Sequence, residues 1–517
     1  VNITAIRLKM KLQDVDQELC TLRSSQGASR TRLGERVLAS MLGTELSKHQ
    51  QRAYQQLLAP DSVVAVTGQQ VGLFGGPMYT LYKIRSAVAA ASIVSQQTGV
   101  PCIPLFWVED NDHDAHEAMH AEILTGTHDV LSISPWDGAH PRRRVADRLI
   151  DQALHDAVVP ILQQLQGRCA QQTIERLQDA YQVGTTWTDA FLTVLAPYLA
   201  EWGVLVVCSS KLVDVGLHSP ILQYLLNRND EVVQTIKTTT MALQQRGTAQ
   251  QANVLDVPWM YTNSNGRQRI EKTAMGVSIA GQQLPFDELV NMARSHPERF
   301  TPTVLTRPLV QDAILPTAVT VLGAAEMAYH QQIADVYQLL GVGRPVLIAR
   351  SGGTMINAKT KRNLLKSGHK LEWYARPWQT IEKDLSSELA SAVLPNRVQQ
   401  QATIDNTLDS YVEAAQKIDP TLVATVNAQR AGMHATLDML ESKLTSASKK
   451  KNAVVVDRAH AIHASVFPHD TKQERVYPLG MWEADFGIDG LIDACDQLGQ
   501  HEIGATLLFH APTHEAQ

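Results

Sequence analysis

VVAVTGQQVGLFGGPMYTLYKI, residues 63–84, is the stretch that decides the fold. Val63 to Thr67 is a short β-branched run that reads as a strand buried on both faces. The loop after it carries Gly68, Gly72, Gly75 and Gly76 and closes on Pro77, which suits the first position of a helix. Leu81, Ile84, Val88 and Ala91 then recur at helical spacing on one face. Strand, glycine loop and helix is the way an open α/β sheet presents backbone N–H groups to a polar or anionic ligand. The loop matches neither GxxxxGK[ST] nor GxGxxG. It reads as a ligand-facing loop or as a tight structural turn.

A second buried strand follows at Ile103–Val108 and empties into Glu109-Asp110-Asn111-Asp112-His113-Asp114, with His116, Glu117 and His120 beyond. Ligands of a parallel sheet gather beyond the carboxyl ends of its strands, so these two loops are expected to share a cavity. Three readings of the polar run compete. Asp112 or Asp114 caps a helix and favours its dipole; His116 and His120, spaced i,i+4, ligate a metal; or His113 and Asp114 form an acid/base cluster. The metal reading lacks an HExxH pattern and a separate third ligand.

The remaining sequence bounds the class. At 517 residues, with 44% hydrophobic and 19% charged residues, the chain is long enough for two to four domains. A net charge of −6 gives no reason to expect nucleic acid as a partner. Five cysteines without CxxC spacing argue for a reducing compartment and against a disulfide framework or structural zinc site. No apolar run has the length to cross a bilayer, and VNITAIRLKMKLQDVDQEL lacks a signal peptide's apolar core. The expected compartment is the cytoplasm.

Residues 1–60 read as helices, with Leu33, Val37, Leu38, Met41 and Leu42 on one face and Tyr54, Leu57 and Leu58 on another. Residues 140–200 read as a helical insertion, and Val204–Ser209 restores the strand pattern. Asn265-Gly266 marks a hairpin turn in a small β-rich patch, where Arg267, Arg269 and Lys272 lie near a ligand or form a solvated edge. Arg307 sits among apolar residues ahead of another strand candidate, TAVTVLG, with Glu326 and Tyr329 just beyond it. Its planar fork suits a carboxylate or phosphate, or an internal pair with Asp312 or Glu326. Pro345–Arg350 reads as the last core strand. Ile404, Leu408, Tyr411, Ala415 and Ile418 then form one helical stripe. After Asp419-Pro420, an N-cap and first helical residue, Leu422, Val426, Gln429, Met433, Leu437, Leu440 and Leu444 form a heptad seam. Together they predict an antiparallel helical hairpin, a ready dimer surface. Lys449–Lys451 reads as solvated.

TGQQVGLFGGPMYTLYKI and IPLFWVEDNDHDAHEA, with PERFTPTVLTRPLVQDAILPT and FPHDTKQER further on, resemble the cysteine-adding enzyme family of bacillithiol biosynthesis over nearly the whole chain. The resemblance implies an α/β, Rossmann-like core similar to class I aminoacyl-tRNA synthetases, a helical insertion and a C-terminal α-helical coiled-coil domain. The expected division is 1–125 and 201–380 for the core, with a β-rich insertion near 250–285. The connective insertion is expected at 126–200, the coiled coil at 381–465 and a segment returning to the core at 466–517. It also implies a homodimer through the coiled coil and a ligase joining L-cysteine to the amine of glucosaminyl-malate. Carried onto this chain, His113 and Asp114 catalyse, while Gly68, Gln69, Gln70, Gly75, Gly76, Tyr79, Asp112, Arg307 and Glu326 contact substrate. No metal is indicated. A carboxylate must be activated before an amide forms, and ATP is the candidate cosubstrate. On this reading the N–H groups of the glycine loop stabilise charge on the activated cysteine, His113 oriented by Asp114 deprotonates the amine, and Arg307 holds a malate-like carboxylate.

Two departures from the family pattern stand out: Asn111 replaces a carboxylate, and Gly323-Ala324-Ala325-Glu326 replaces a GPGE-like turn whose glycines reach positive φ cheaply. They leave open a divergent member with another substrate. They also leave open a ligand-binding or assembly protein that kept the fold without the chemistry. A metal-dependent hydrolase is the third class.

Overall fold

A computed structural model describes residues 20, 23–41, 45–127, 129–136, 138, 140–499 and 506–510. The signal-peptide reading of the first nineteen residues and the place of Leu42 lie outside the described residues. The chain divides into two compact units, one formed by 1–355 with 474–517 and the other by 356–473.

The first unit is organised around β1, Val63–Gln70, whose Val63–Thr67 stretch is fully buried. Four further strands, β2 (Cys102–Glu109), β3 (Leu205–Cys208), β4 (Thr317–Leu322) and β5 (Val346–Ala349), join it in a parallel sheet of order β5-β4-β1-β2-β3. The chain runs outward through β2 and β3 and returns to lay β4 and β5 on the other side of β1. Strand order therefore reverses at β1, the switch point where open α/β sheets leave a crevice at their carboxyl ends. β1 outlasts the expected end at Thr67, because Gly68, Gln69 and Gln70 stay in register with Trp107, Val108 and Glu109. Gly68 is thus a strand residue.

The glycine turn then tightens through positive φ at Phe74 (54°), Gly75 (86°) and Gly76 (69°). A Cβ on Gly75 would stand 2.9 Å from the Val194 side chain and 3.1 Å from that of Leu479, so the turn is pressed into the core. Pro77 lies one residue before the N-cap, Met78, rather than at the first helical position. Helix α1 (Tyr79–Thr98) is buried on most of its surface and stops at left-handed Gly99.

The β-rich insertion forms its own antiparallel sheet from Trp259–Asn263, Gly266–Thr273, Gly276–Ile279 and Gln282–Leu284, with Phe300–Pro302 on its edge. Asn263 pairs with Gly266, so the first hairpin turns on Ser264-Asn265 rather than on Asn265-Gly266. Helix α2 (Arg307–Ile314) and helix α3 (Ala324–Gln332) flank β4. The Ala324-Ala325 departure is accommodated: Gly323 is extended (φ −79°, ψ 169°) and both alanines already lie within α3, so no positive φ is required.

The second unit begins at Ile356, ahead of the expected 381, because helix Ala358–Ser367 packs against helix Ala453–Val466. Its long hairpin joins α4 (Arg397–Ile418) to α5 (Leu422–Lys451). Asp419 accepts from the Thr421 N–H (2.9 Å) and Thr421 is the N-cap, which leaves Pro420 outside the helix. The predicted seam of α5 is displaced. Val426 and Leu437 are half-buried, whereas Leu422, Gln429, Met433, Leu440 and Leu444 are exposed. The face turned to α4 carries Arg430, which bonds Asp409, and His434, whose Nε2 lies 2.9 Å from Asp405. Lys449 is paired with Glu382 rather than left free.

Candidate active site

Beyond the carboxyl ends of β1 and β2 lies a cavity of about 470 Å³. Gly68, Gln69 and Gln70 form its floor, Asp112 and His113 one side, and Arg307, Glu326 and Tyr329 the other. Seven of the residues expected at the site therefore meet in one space. The polar run reaches the cavity through Asp112 and His113, whereas the glycine stretch reaches it only through Gly68–Gln70 at the end of β1.

Lys83 of α1 braces the floor from behind. Its Nζ donates to the Gly68 carbonyl (2.7 Å) and Gln69 Oε1 (3.1 Å) and pairs with Glu326 (2.7 Å). Burial lowers the Lys83 pKa against the opposing pull of Glu326. Glu326 also accepts from the Gly323 N–H (2.7 Å), so one carboxylate fixes the start of α3 and the end of β1.

Glu109 faces the cavity from the last position of β2, accepting from Trp107 Nε1 (3.0 Å) and Ser209 Oγ (2.8 Å). Burial raises its pKa, opposed by Arg307. Arg307 donates to Gln311 (2.9 Å) and stacks over Trp107 (5.9 Å to the ring centre). No described carboxylate lies within ion-pair distance of it, so neither the Asp312 nor the Glu326 pairing forms. Burial opposes the Arg307 charge, but Tyr329, Glu109 and Glu326 outweigh it and raise its pKa. Burial likewise pushes the Tyr329 hydroxyl up to about 12.

His113 is oriented by Asp112, not by Asp114. Asp112 Oδ1 accepts from the His113 N–H (2.7 Å) and lies 3.2 Å from its Nδ1. Arg267 Nη1 donates to the same oxygen (2.9 Å). Burial alone would raise the Asp112 pKa; His113 and Arg267 outweigh it and hold the carboxyl far below its usual range. Arg267 Nη1 also lies 3.4 Å from His113 Nδ1; in the tautomer whose Nδ1 proton faces Asp112, Nε2 is the ring nitrogen that can accept a proton. Asp114 instead caps the helix Ala115–Ala118 by accepting from the Glu117 N–H (2.9 Å), as the capping reading has it.

Gly75, Gly76 and Tyr79 do not line the cavity. The Phe74 N–H donates to Tyr181 (2.7 Å) and that of Gly76 to the Leu73 carbonyl (3.0 Å), so this turn does not offer those donors to a ligand. Tyr79 stands behind Gln69, accepting from its amide (3.0 Å). Among the described residues no three His, Cys, Asp or Glu side chains converge as metal ligands, and His116 stacks on His120 (5.6 Å). Buried Asn111 donates to Ser209 Oγ (3.0 Å) and accepts from Arg144 (3.1 Å), tying the segment after β2 to the segment after β3 with an amide in place of a carboxylate.

Trp107 and Glu109 were given no role from the sequence, and Arg267 was named only as one of three basic residues lying near a ligand or on a solvated edge; the cavity takes Arg267 and Arg269. Arg267 is no solvated edge residue: it also donates to Thr301 Oγ1 (2.9 Å) and to the Pro302 carbonyl (2.6 Å). Lys272, from the same basic set, pairs with Asp230 away from the cavity. The signal available for Arg267 was its i,i+2 spacing with Arg269 on one strand, which puts both on one face.

Two family models match the chain: the N-terminal Rossmann-like domain of bacillithiol biosynthesis BshC over residues 8–351, and its C-terminal coiled-coil domain over 353–510. A "Putative cysteine ligase BshC" of Salinibacter ruber is 27% identical, with 88% of this chain and 84% of the relative covered. Proteins of the same name from Prosthecochloris aestuarii (26% identical, 91% and 86% covered) and a Geobacillus species (26%, 84% and 82%) are similar to it as well.

Proposed function

The chain belongs to the bacillithiol biosynthesis BshC family, and from that premise we propose that it is a ligase joining the carboxylate of L-cysteine to the amine of glucosaminyl-malate. The observation that carries this reading is the meeting of His113 with Arg307, Glu109 and Glu326 in one cavity at the sheet's switch point. Such a cavity suits substrates bearing both ammonium and carboxylate groups. His113 Nε2 takes a proton from the attacking amine, and Asp112 rather than Asp114 holds the ring and stabilises its charged form. Arg307 has no carboxylate partner of its own and binds one from a substrate. Gly68, Gln69 and Gln70 position the other reactant. A free carboxylate is a poor electrophile, so the cysteine is activated first, with ATP as the candidate cosubstrate.

The exposed stripe Leu422, Met433, Leu440 and Leu444 supports a homodimer formed through the hairpin. Cys102, Cys169, Cys208 and Cys495 are free thiols and no described helix is long and apolar enough to cross a membrane, which suits work in the cytoplasm. Purified protein incubated with L-cysteine, glucosaminyl-malate and ATP is expected to yield the amide-linked thiol, read by mass. No product with these substrates returns the chain to the reading of a fold kept without its chemistry.

A further inference from the structure

A second recess, of about 270 Å³, adjoins the cavity and shares His113, Met260, Arg267 and Arg269 with it. Arg142 and Glu271 complete its charged lining. The sequence places Arg267, Arg269 and Glu271 at alternate positions of strand Gly266–Thr273, so all three belong to one face. Arg142 is brought to them by its backbone, whose carbonyl accepts from the Arg267 N–H (2.8 Å).

The charges of this recess are not equivalent. Arg267 is neutralised by Asp112 (2.9 Å) and spends its other donors on Thr301 and Pro302, so it forms the wall. Among the described residues the Arg269 side chain makes no hydrogen bond or ion pair, and the Arg142 side chain donates only to the neutral Gln268 amide oxygen. Among the described lining residues Glu271 alone opposes them, which leaves that lining with an excess of positive charge. Two planar guanidinium forks bind a carboxylate bidentately. A phosphate cradle would instead be expected to offer converging backbone N–H groups, and the Arg267 N–H is already bonded to Arg142.

We propose that this recess is the anion subsite for the amine-bearing substrate, seating its carboxylate between Arg142 and Arg269 so that the amine reaches His113 in the shared wall. This assignment rests on the ligase reading for the identity of that substrate, but the charge and the shape of the recess do not. The division it implies is simple: the anionic end of the acceptor enters from the β-rich sheet, and the acid to be activated lies toward Arg307.

The test separates the two claims. L-Malate, a free dicarboxylate, is titrated calorimetrically at low ionic strength into the full chain and into Arg269→Ala, Arg142→Ala and Arg269→Lys. Binding is expected to weaken about tenfold in each alanine variant and less in the lysine variant, with higher salt weakening the unaltered protein as well. Equal malate binding in all four proteins overturns the subsite, as does the absence of malate binding to the unaltered chain. Inorganic phosphate or ATP binding that is lost in Arg269→Ala, with malate indifferent to the change, also overturns it and makes the recess a phosphate site. In the coupled assay, a raised acceptor KM at unchanged cysteine KM is the companion result. Arg269-dependent malate binding without product retains the subsite and removes the ligase reading; product formation with an unaltered acceptor KM in Arg269→Ala does the reverse.

Discussion

Adjacent carboxylates in one polar run have different partners and therefore different consequences when removed. The Asp112 carboxylate touches the His113 ring and Arg267, whereas that of Asp114, among the described residues, accepts only from the Glu117 N–H. His113→Ala is expected to lower turnover by about 10²- to 10⁴-fold with the fold intact, and Asp112→Asn to follow it in direction. Asp114→Ala should retain turnover and lose about 1 kcal/mol of stability as a missing cap, read from urea midpoints. Unchanged turnover in His113→Ala would remove the base. Lys83 is a different case, a buried cation serving three acceptors. Lys83→Met should cost about 3 kcal/mol, since it leaves Glu326 and the Gly68 carbonyl without their partner; a midpoint within error of the parent would show the pair to be dispensable.

Elements reach the cavity through contacts that a local pattern cannot contain. The glycine turn looked like a ligand loop, yet Val194 and Leu479, far along the chain, occupy the space around Gly75. Glycine is needed there for close approach to the core and for positive φ. His218, just ahead of helix Ser219–Asn227, shows a similar tie: its Nε2 meets the Phe300 carbonyl (2.9 Å) and so anchors the strand that ends at Pro302, in the cavity wall. Burial lowers its pKa to about 4 from an ordinary 6.5. Above pH 6.5 the ring is neutral folded and unfolded, and its stability contribution is complete. As the pH falls from 6.5 toward 4 the unfolded chain gains the proton first, and stability should decline by about 3 kcal/mol. Urea midpoints at pH 7 and pH 4.5 should show that part of the acid slope disappearing in His218→Gln. The same slope in both proteins would place the titration elsewhere.

At the scale of the whole molecule, the sheet and the hairpin perform separate tasks. The sheet makes the cavity by reversing strand order at β1, and no single strand carries that information. The hairpin spends its inner face on Arg430–Asp409 and His434–Asp405, and leaves much of the apolar seam outward. An outward seam of this size predicts self-association. Light scattering should give twice the chain mass for the parent and a single chain mass for the double substitution Met433→Asp with Leu440→Asp; a monomeric parent would end the proposal.

Hydrophobic period and turn chemistry were enough to find the parallel strands, the two loops at their ends and the helical hairpin, because those signals act over a few residues. The family motifs added the expected chemistry of His113 and Arg307. Which oxygen orients His113, which face of α5 is covered, and whether Gly75 or Arg267 reaches the cavity depend on residues tens to hundreds of positions away. Burial and ion pairing are properties of the assembled neighbourhood, so only the folded chain could decide them.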